Sequence, residues 1–113
     1  MSLYSRLHIE QQEECPNCNS MINRTVQFAY GNTRLVNYEV GQTLQWGGND
    51  VGERGHVRVR VSGHAEPCPR CGHLPDTLYE VLIEEDRLVS VRRRGKINEE
   101  LQLFGPDGHR VED

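Results

Sequence analysis

The sequence predicts an all-β fold, a small antiparallel sheet domain. Apolar and polar residues alternate with a period of two in several short segments, and no segment shows the periodicity of an amphipathic helix. The four cysteines occur as two Cys-x-x-Cys pairs, Cys15–Cys18 and Cys68–Cys71. Each such pair can supply two thiolates to a tetrahedral metal ion. Strands joined at two cysteine loops are therefore the expected architecture.

Seven short segments alternate between apolar and polar residues and are predicted to be strands: 3–9, 24–30, 35–40, 44–46, 56–61, 78–84 and 87–92. The last two flank Glu85 and Asp86, and this spacing predicts a β-hairpin with a two-residue turn. Glycine and asparagine residues separate the other segments, as is typical of turns.

Length and composition indicate a single domain, residues 1–113. Only 35% of the residues are hydrophobic and 6% aromatic, so the core is small and a bound metal would add needed stability. Residues 3–95 are expected to be the ordered part. The alternation fades after Gly95, and the predicted turn at 105–108 makes residues 96–113 a loose C-terminal tail.

The start of the chain resembles neither a signal peptide nor a membrane anchor, and no apolar run reaches membrane-spanning length. A cytoplasmic location without membrane contact is therefore expected. In a reducing compartment, closely spaced cysteines serve more often as metal ligands than as disulfides.

The two cysteine pairs share a local pattern that favours metal binding. A proline follows the first cysteine of each pair and presets the turn. Asn19 and Gly72 follow the second cysteines, and these residue types tolerate the left-handed backbone that a chain curling around a metal needs. Four thiolates suit one structural Zn²⁺, and iron is the alternative metal.

Cys15-Pro-Asn-Cys18 and Cys68-Pro-Arg-Cys71-Gly72, each joined to a β segment, resemble the two knuckles of a zinc ribbon or rubredoxin-like domain. The resemblance implies that both knuckles top β-hairpins and that Cys15, Cys18, Cys68 and Cys71 ligate one metal. The 49 residues between Cys18 and Cys68 exceed a minimal ribbon, so an inserted sheet is expected there. Zinc ribbons serve in nucleic-acid binding, in enzyme subunits and in protein contacts, so the resemblance leaves the function open.

A thiol redox protein is an alternative interpretation of the first cysteine pair. Redox chemistry needs a cysteine of low pKa, typically at a helix N-terminus. Residues 10–14 are instead polar and acidic, and we expect them to raise the pKa of a nearby thiol. No nucleophile with a neighbouring base and no diagnostic carboxylate pair is present. No catalytic residue is predicted, and the chain is not expected to be an enzyme.

The expected function is that of a non-catalytic accessory module that binds another protein. The formal charge of −4 disfavours the alternative, a nucleic acid. One candidate contact surface is the loop 47–55 with Trp46, Asn49 and Asp50, because four of its nine residues are glycine and would leave it mobile. In the competing interpretation, Trp46 fills the core and the loop only connects.

A second candidate surface is basic, and it would carry the nucleic-acid alternative: Arg58, Arg60, Arg92, Arg93, Arg94 and Lys96. Arg58 and Arg60 share the polar face of one predicted strand. The competing interpretation is a solvated strand end whose charge balances the acidic residues 84–86 or the metal thiolates.

Overall fold

A computed structural model describes residues 3–113, which form nine strands, one helical turn and one 3₁₀ turn, as expected for an all-β protein. The helical turn α1 is Ile97–Glu100, and the 3₁₀ turn is Leu101–Phe104. The strands are β1 (Tyr4–His8), β2 (Glu13–Glu14), β3 (Met21–Ile22), β4 (Thr25–Phe28), β5 (Arg34–Glu39), β6 (Val59–Ala65), β7 (Leu78–Glu84), β8 (Arg87–Arg93) and β9 (His109–Val111).

Seven of the strands build one mixed sheet in the order β5-β1-β4-β6-β7-β8, with β9 pairing β6, while β2 and β3 form a separate hairpin. The prediction of a purely antiparallel sheet is wrong at one pair, since β5 runs parallel to β1. After β4 the chain turns back across the end of β1 and returns on its far side. Strands β4, β5 and β6 lie between the two cysteine loops, where an inserted sheet was expected, and they share one sheet with strands that precede and follow the loops.

The two ends of the curled sheet are joined by the segment that follows β5. The N–H of Gly41 donates to the carbonyl of Leu88 at 2.7 Å, and the N–H of Leu88 donates to the carbonyl of Gln42 at 2.9 Å. The predicted strand 44–46 is absent, and the neighbouring Thr43 forms only an isolated bridge to Arg87. Closure therefore uses a short irregular segment rather than another full strand.

The core lies inside the curl, where buried residues of β1 and of β4 to β8 meet. The β7–β8 hairpin is confirmed, with Glu85 and Asp86 in left-handed conformation at its turn (φ 50° and 65°). A single cluster of thirteen buried side chains fills the interior: Leu7, Val26, Phe28, Tyr30, Tyr38, Leu44, Val59, Val61, Ala65, Tyr79, Val81, Ile83 and Leu88.

The C-terminal residues, expected to be a loose tail, pack against the sheet. Strand β9 pairs with the first half of β6, and Phe104 is buried. Asp113 accepts hydrogen bonds from His56 at 2.6 Å and from the N–H of Val57 at 2.8 Å. Two single turns and a three-residue strand are too short to produce a periodic sequence pattern, which is why the alternation fades in this part of the chain.

Candidate metal centre

The first cysteine loop, residues 15–20, lies on the hairpin formed by β2 and β3. The N–H of Cys15 donates to the carbonyl of Ser20, and the N–H of Asn19 donates to the carbonyl of Cys15, both at 2.9 Å. Asn19 has φ 60°, the left-handed conformation that its residue type tolerates. These bonds curl the loop so that both of its thiols face the same side.

The second cysteine loop, residues 68–73, repeats this turn between the paired strands β6 and β7. The N–H of Cys68 donates to the carbonyl of His73, and the N–H of Gly72 donates to the carbonyl of Cys68, again at 2.9 Å. Gly72 has φ 76°. Each loop thus tops an antiparallel pair of strands, and the two loops have matching hydrogen bonds at matching positions.

The two loops bring all four thiols together, and the sulfur atoms lie within 4.8 Å of one another. The Sγ atoms of Cys15 and Cys71 are 3.7 Å apart, and those of Cys18 and Cys68 are 3.9 Å apart. A tetrahedral ion with metal–sulfur bonds of about 2.3 Å requires sulfur–sulfur distances of about 3.8 Å. The four cysteines could therefore hold one metal ion.

The loop backbone favours the thiolate form that binds metals. The N–H and hydroxyl of Ser20 lower the pKa of Cys18 to about 6. The N–H of Cys71 lowers the pKa of Cys68. For Cys15 the N–H of Cys18 acts in the same direction, but burial and the neighbouring sulfurs outweigh it and raise the pKa. Thiolates are the ligand species, so two of the four groups are already biased towards binding.

Glu13, one of the acidic residues before Cys15, is engaged with the main sheet. Its carboxylate accepts a hydrogen bond from the hydroxyl of Tyr79 at 3.1 Å. The same carboxylate lies 3.6 Å from Nε of the fully buried Arg24. Burial and the carboxylate raise the pKa of Tyr79 to about 12. Glu13 thus fastens the first cysteine hairpin to the sheet. Its local sequence, a run of glutamine and glutamate, carries no signal for this role.

The predicted basic surface is largely neutralised within the protein. Arg60, Arg92 and Arg94 converge on one carboxylate, that of Glu80, at 3.0, 2.8 and 2.7 Å. Only 2% of the Glu80 side chain is exposed, so its charge needs these partners.

The remaining predicted basic residues lie apart from that cluster. Arg58 pairs with Glu84 at 2.9 Å, and Arg93 lies 3.9 Å from Glu13. Lys96 forms no ion pair within residues 3–113. The structure therefore brings three of the six basic residues together, around a buried carboxylate.

Residues of the loop 47–55 form hydrogen bonds with one another and with Thr33. The carboxylate of Asp50 accepts from the N–H groups of Gly47 and Gly48 at 2.8 and 3.0 Å, and the carbonyl of Asn49 accepts from the Thr33 hydroxyl at 2.6 Å. Trp46 packs against the core, as the competing interpretation expected. The glycines of the loop therefore lie within a hydrogen-bonded turn, and glycine content alone does not indicate the partners of these bonds.

Gly52 closes this loop against a core aromatic ring, which leads to a mutational prediction. A Cβ at Gly52 would lie 2.1 Å from Cε1 of Tyr30, and its φ is +78°. We expect Gly52→Ala to lower the free energy of unfolding by about 2–4 kcal/mol, from backbone strain and displacement of the ring. Chemical denaturation monitored by tryptophan fluorescence measures this change.

Gly55→Ala is the matched control, because Gly55 has φ +84° in the same loop but nothing lies within 4 Å of where its methyl group would be. We expect it to cost only the backbone strain, about 1–2 kcal/mol. Equal losses for the two variants would show that contact with Tyr30 does not hold the loop.

The chain matches no protein-family model, no curated protein and no solved structure. Within residues 3–113, no helix has the length and apolar character needed to cross a membrane.

Proposed function

We propose that the chain is a non-catalytic β domain that binds one structural Zn²⁺ through Cys15, Cys18, Cys68 and Cys71 and serves as a protein-binding module. The main support for this proposal is the pair of sulfur–sulfur distances, 3.7 and 3.9 Å, which suit a four-thiolate tetrahedral site. Four protein ligands leave no open position for a catalytic water, and such closed sites are typically structural zinc sites, as in zinc ribbons.

The charge distribution supports a protein partner over a nucleic acid. Binding to nucleic acids depends on cations that are free to neutralise phosphates. Here the three arginines at Glu80 already have a carboxylate partner, and Arg58 has another. The chain as a whole carries a formal charge of −4.

Elemental analysis of protein purified without an immobilised metal tests the site. We expect one zinc per chain and cysteines that resist alkylation until a chelator is added. One iron per chain, with visible colour, would keep the site and change the metal. Protein that is folded, metal-free and readily alkylated would overturn the proposal and revive the redox interpretation.

Fluorescence polarisation with labelled single-stranded and duplex oligonucleotides tests the choice of partner. We expect no binding even at low ionic strength, where electrostatic binding is strongest. Binding that weakens steeply with added salt, and weakens further in an Arg93→Ala/Lys96→Ala variant, would favour the nucleic-acid alternative. Both side chains are exposed and lie outside the Glu80 cluster, so their removal should leave the fold intact.

A further inference from the structure

Strand β8 has one open edge beyond its first residues. The segment after β5 pairs with it only as far as Leu88. The N–H of Arg94 donates to the carbonyl of Leu78 at 2.8 Å. In an antiparallel pair, the backbone groups of successive residues point alternately towards and away from the neighbouring strand. The N–H and carbonyl groups of Val91 and Arg93 therefore point away from β7. No strand of residues 3–113 pairs with this edge, which leaves a template for an added strand.

A groove of about 300 Å³ runs beside this edge, between β8 and the ends of β1 and β5. Its apolar wall is formed by Ile9, Val40, Val89 and Val91. Val89 and Val40 are exposed, and a register shift between Leu82 and Ile83 leaves Val89 without a partner on β7. The groove thus offers apolar contact next to unpaired backbone groups, the two features that a bound extended peptide uses.

The groove is also acidic. Glu10 and Glu39 line it, both are exposed, and neither forms an ion pair within the described chain. Neither Lys96 nor any arginine in residues 3–113 lines it. Arg92, which belongs to the same strand, is bound to Glu80. An incoming strand with basic side chains would therefore be attracted, and an acidic one repelled.

We propose that an extended segment of a partner protein, with alternating basic and apolar side chains, adds as a strand to the open edge of β8. Its backbone pairs with Val91 and Arg93, its apolar side chains enter the groove, and its basic side chains meet Glu10 and Glu39. This inference rests on the proposed protein-binding function. A second copy of the chain is a poorer occupant, because pairing of two β8 edges would bring Glu10 and Glu39 of both copies close together.

The test uses the zinc-loaded chain and a fluorescent synthetic peptide of alternating lysine and valine. We expect fluorescence anisotropy to show binding of this peptide, and no binding of a peptide of alternating glutamate and valine. A version of the basic peptide with prolines at alternate positions, which cannot donate backbone hydrogen bonds, should not bind. Amide chemical-shift changes should concentrate at residues 8–11 and 88–93.

Two protein variants test separately the acidic residues of the groove and the open backbone edge of β8. Glu10→Lys/Glu39→Lys should weaken binding of the basic peptide at least tenfold, whereas the matched double reversal Glu99→Lys/Asp107→Lys, at exposed residues away from the groove, should leave the affinity within about twofold. Val91→Pro, which removes an outward N–H, should abolish binding. Should that variant fold poorly, the charge variants and the proline peptide still decide the question.

Several outcomes would overturn the inference: no binding of the basic peptide, equal binding of the acidic one, equal weakening by both double variants, or shifts centred on the arginines at Glu80. Self-association that Val91→Pro abolishes would assign the edge to a second copy. Any of these results in a zinc-loaded, folded chain would remove the inference and leave the metal site intact. A folded chain that binds no metal would instead contradict the proposed function.

Discussion

Cys68→Ser is expected to abolish tight metal binding and to unfold both cysteine loops. Cys68 is buried, and its sulfur lies 3.9 Å from that of Cys18. Structural zinc contributes about 10–16 kcal/mol to the folding of small zinc-binding domains, a substantial quantity beside the 5–15 kcal/mol that stabilises a typical domain. The hairpin of two-residue strands β2 and β3 has only Ile22 and the cysteines themselves in its buried cluster, so it cannot persist alone.

The main sheet is expected to remain folded when the metal site is lost. Its thirteen-residue buried cluster contains no cysteine and is separate from the cluster at the metal site. Hydrogen exchange should therefore accelerate by roughly 10³-fold or more for amides in residues 13–22 and 68–76, equivalent to about 4 kcal/mol of lost local stability. Amides of β7 near Val81 should stay protected.

Hydrogen exchange followed by mass spectrometry, with zinc content and a thermal melt, measures this effect. Arg70→Ala is the control, since Arg70 is exposed in the same loop and only its backbone N–H contacts a sulfur. It should keep one zinc and the parent melting temperature. A Cys68→Ser protein that still binds one zinc tightly and melts like the parent would show that the second loop does not supply a pair of ligands.

The cysteine loops and the β7–β8 hairpin could be predicted because their causes are local. Ligand spacing, a proline and a residue that tolerates positive φ all lie within each loop, and the hairpin combines strict alternation with a two-residue turn. The parallel pairing of β1 with β5 and the closure at Gly41 depend on contacts between distant segments. No pattern within one segment encodes the identity of its neighbour.

The same limit applies to the internal contacts at the two predicted partner surfaces. Alternation placed Arg60 on the polar face of its strand, but only the register of β6, β7 and β8 shows that it meets Glu80 beside Arg92. Glycine content suggested a mobile loop at 47–55 but gave no indication that Thr33 and the ring of Tyr30, from elsewhere in the chain, contact it. Residue type predicted which side chains are polar, and tertiary structure decided which of them remain unpaired.

Glu80→Gln is expected to lower the free energy of unfolding by about 2–3 kcal/mol. Removing one member of a buried ion pair typically costs about 3–5 kcal/mol, and the expectation here is smaller because Arg92 is 63% exposed and can regain water. The amide would also turn an N–H donor towards guanidinium groups that have only donors. Arg60 and Arg94 additionally bind Glu112 and Glu100, so the loss should loosen the C-terminal segment.

Glu84→Gln is the matched control, four residues further along the same strand. Glu84 pairs with Arg58, and both side chains are more than a third exposed. This ion pair should therefore contribute less than about 1 kcal/mol to the free energy of unfolding. Urea denaturation at neutral pH measures both variants. Equal and small losses would show that the arginines around Glu80 bind it no more strongly than a surface pair.

The pH dependence identifies the ionic part of the Glu80 contribution. Burial alone would raise the pKa of Glu80, but the hydrogen bonds and charges of Arg92, Arg60 and Arg94 outweigh it and hold the pKa below its usual value. A carboxyl whose pKa is lower in the folded state stabilises the fold above its unfolded pKa of about 4.3 and loses that effect as the pH falls through the folded value. The stability difference between the parent and Glu80→Gln should therefore be constant near neutrality and shrink below about pH 4. A difference that stayed the same in acid would mean that packing of the side chain, and not its charge, holds the three strands together at this point.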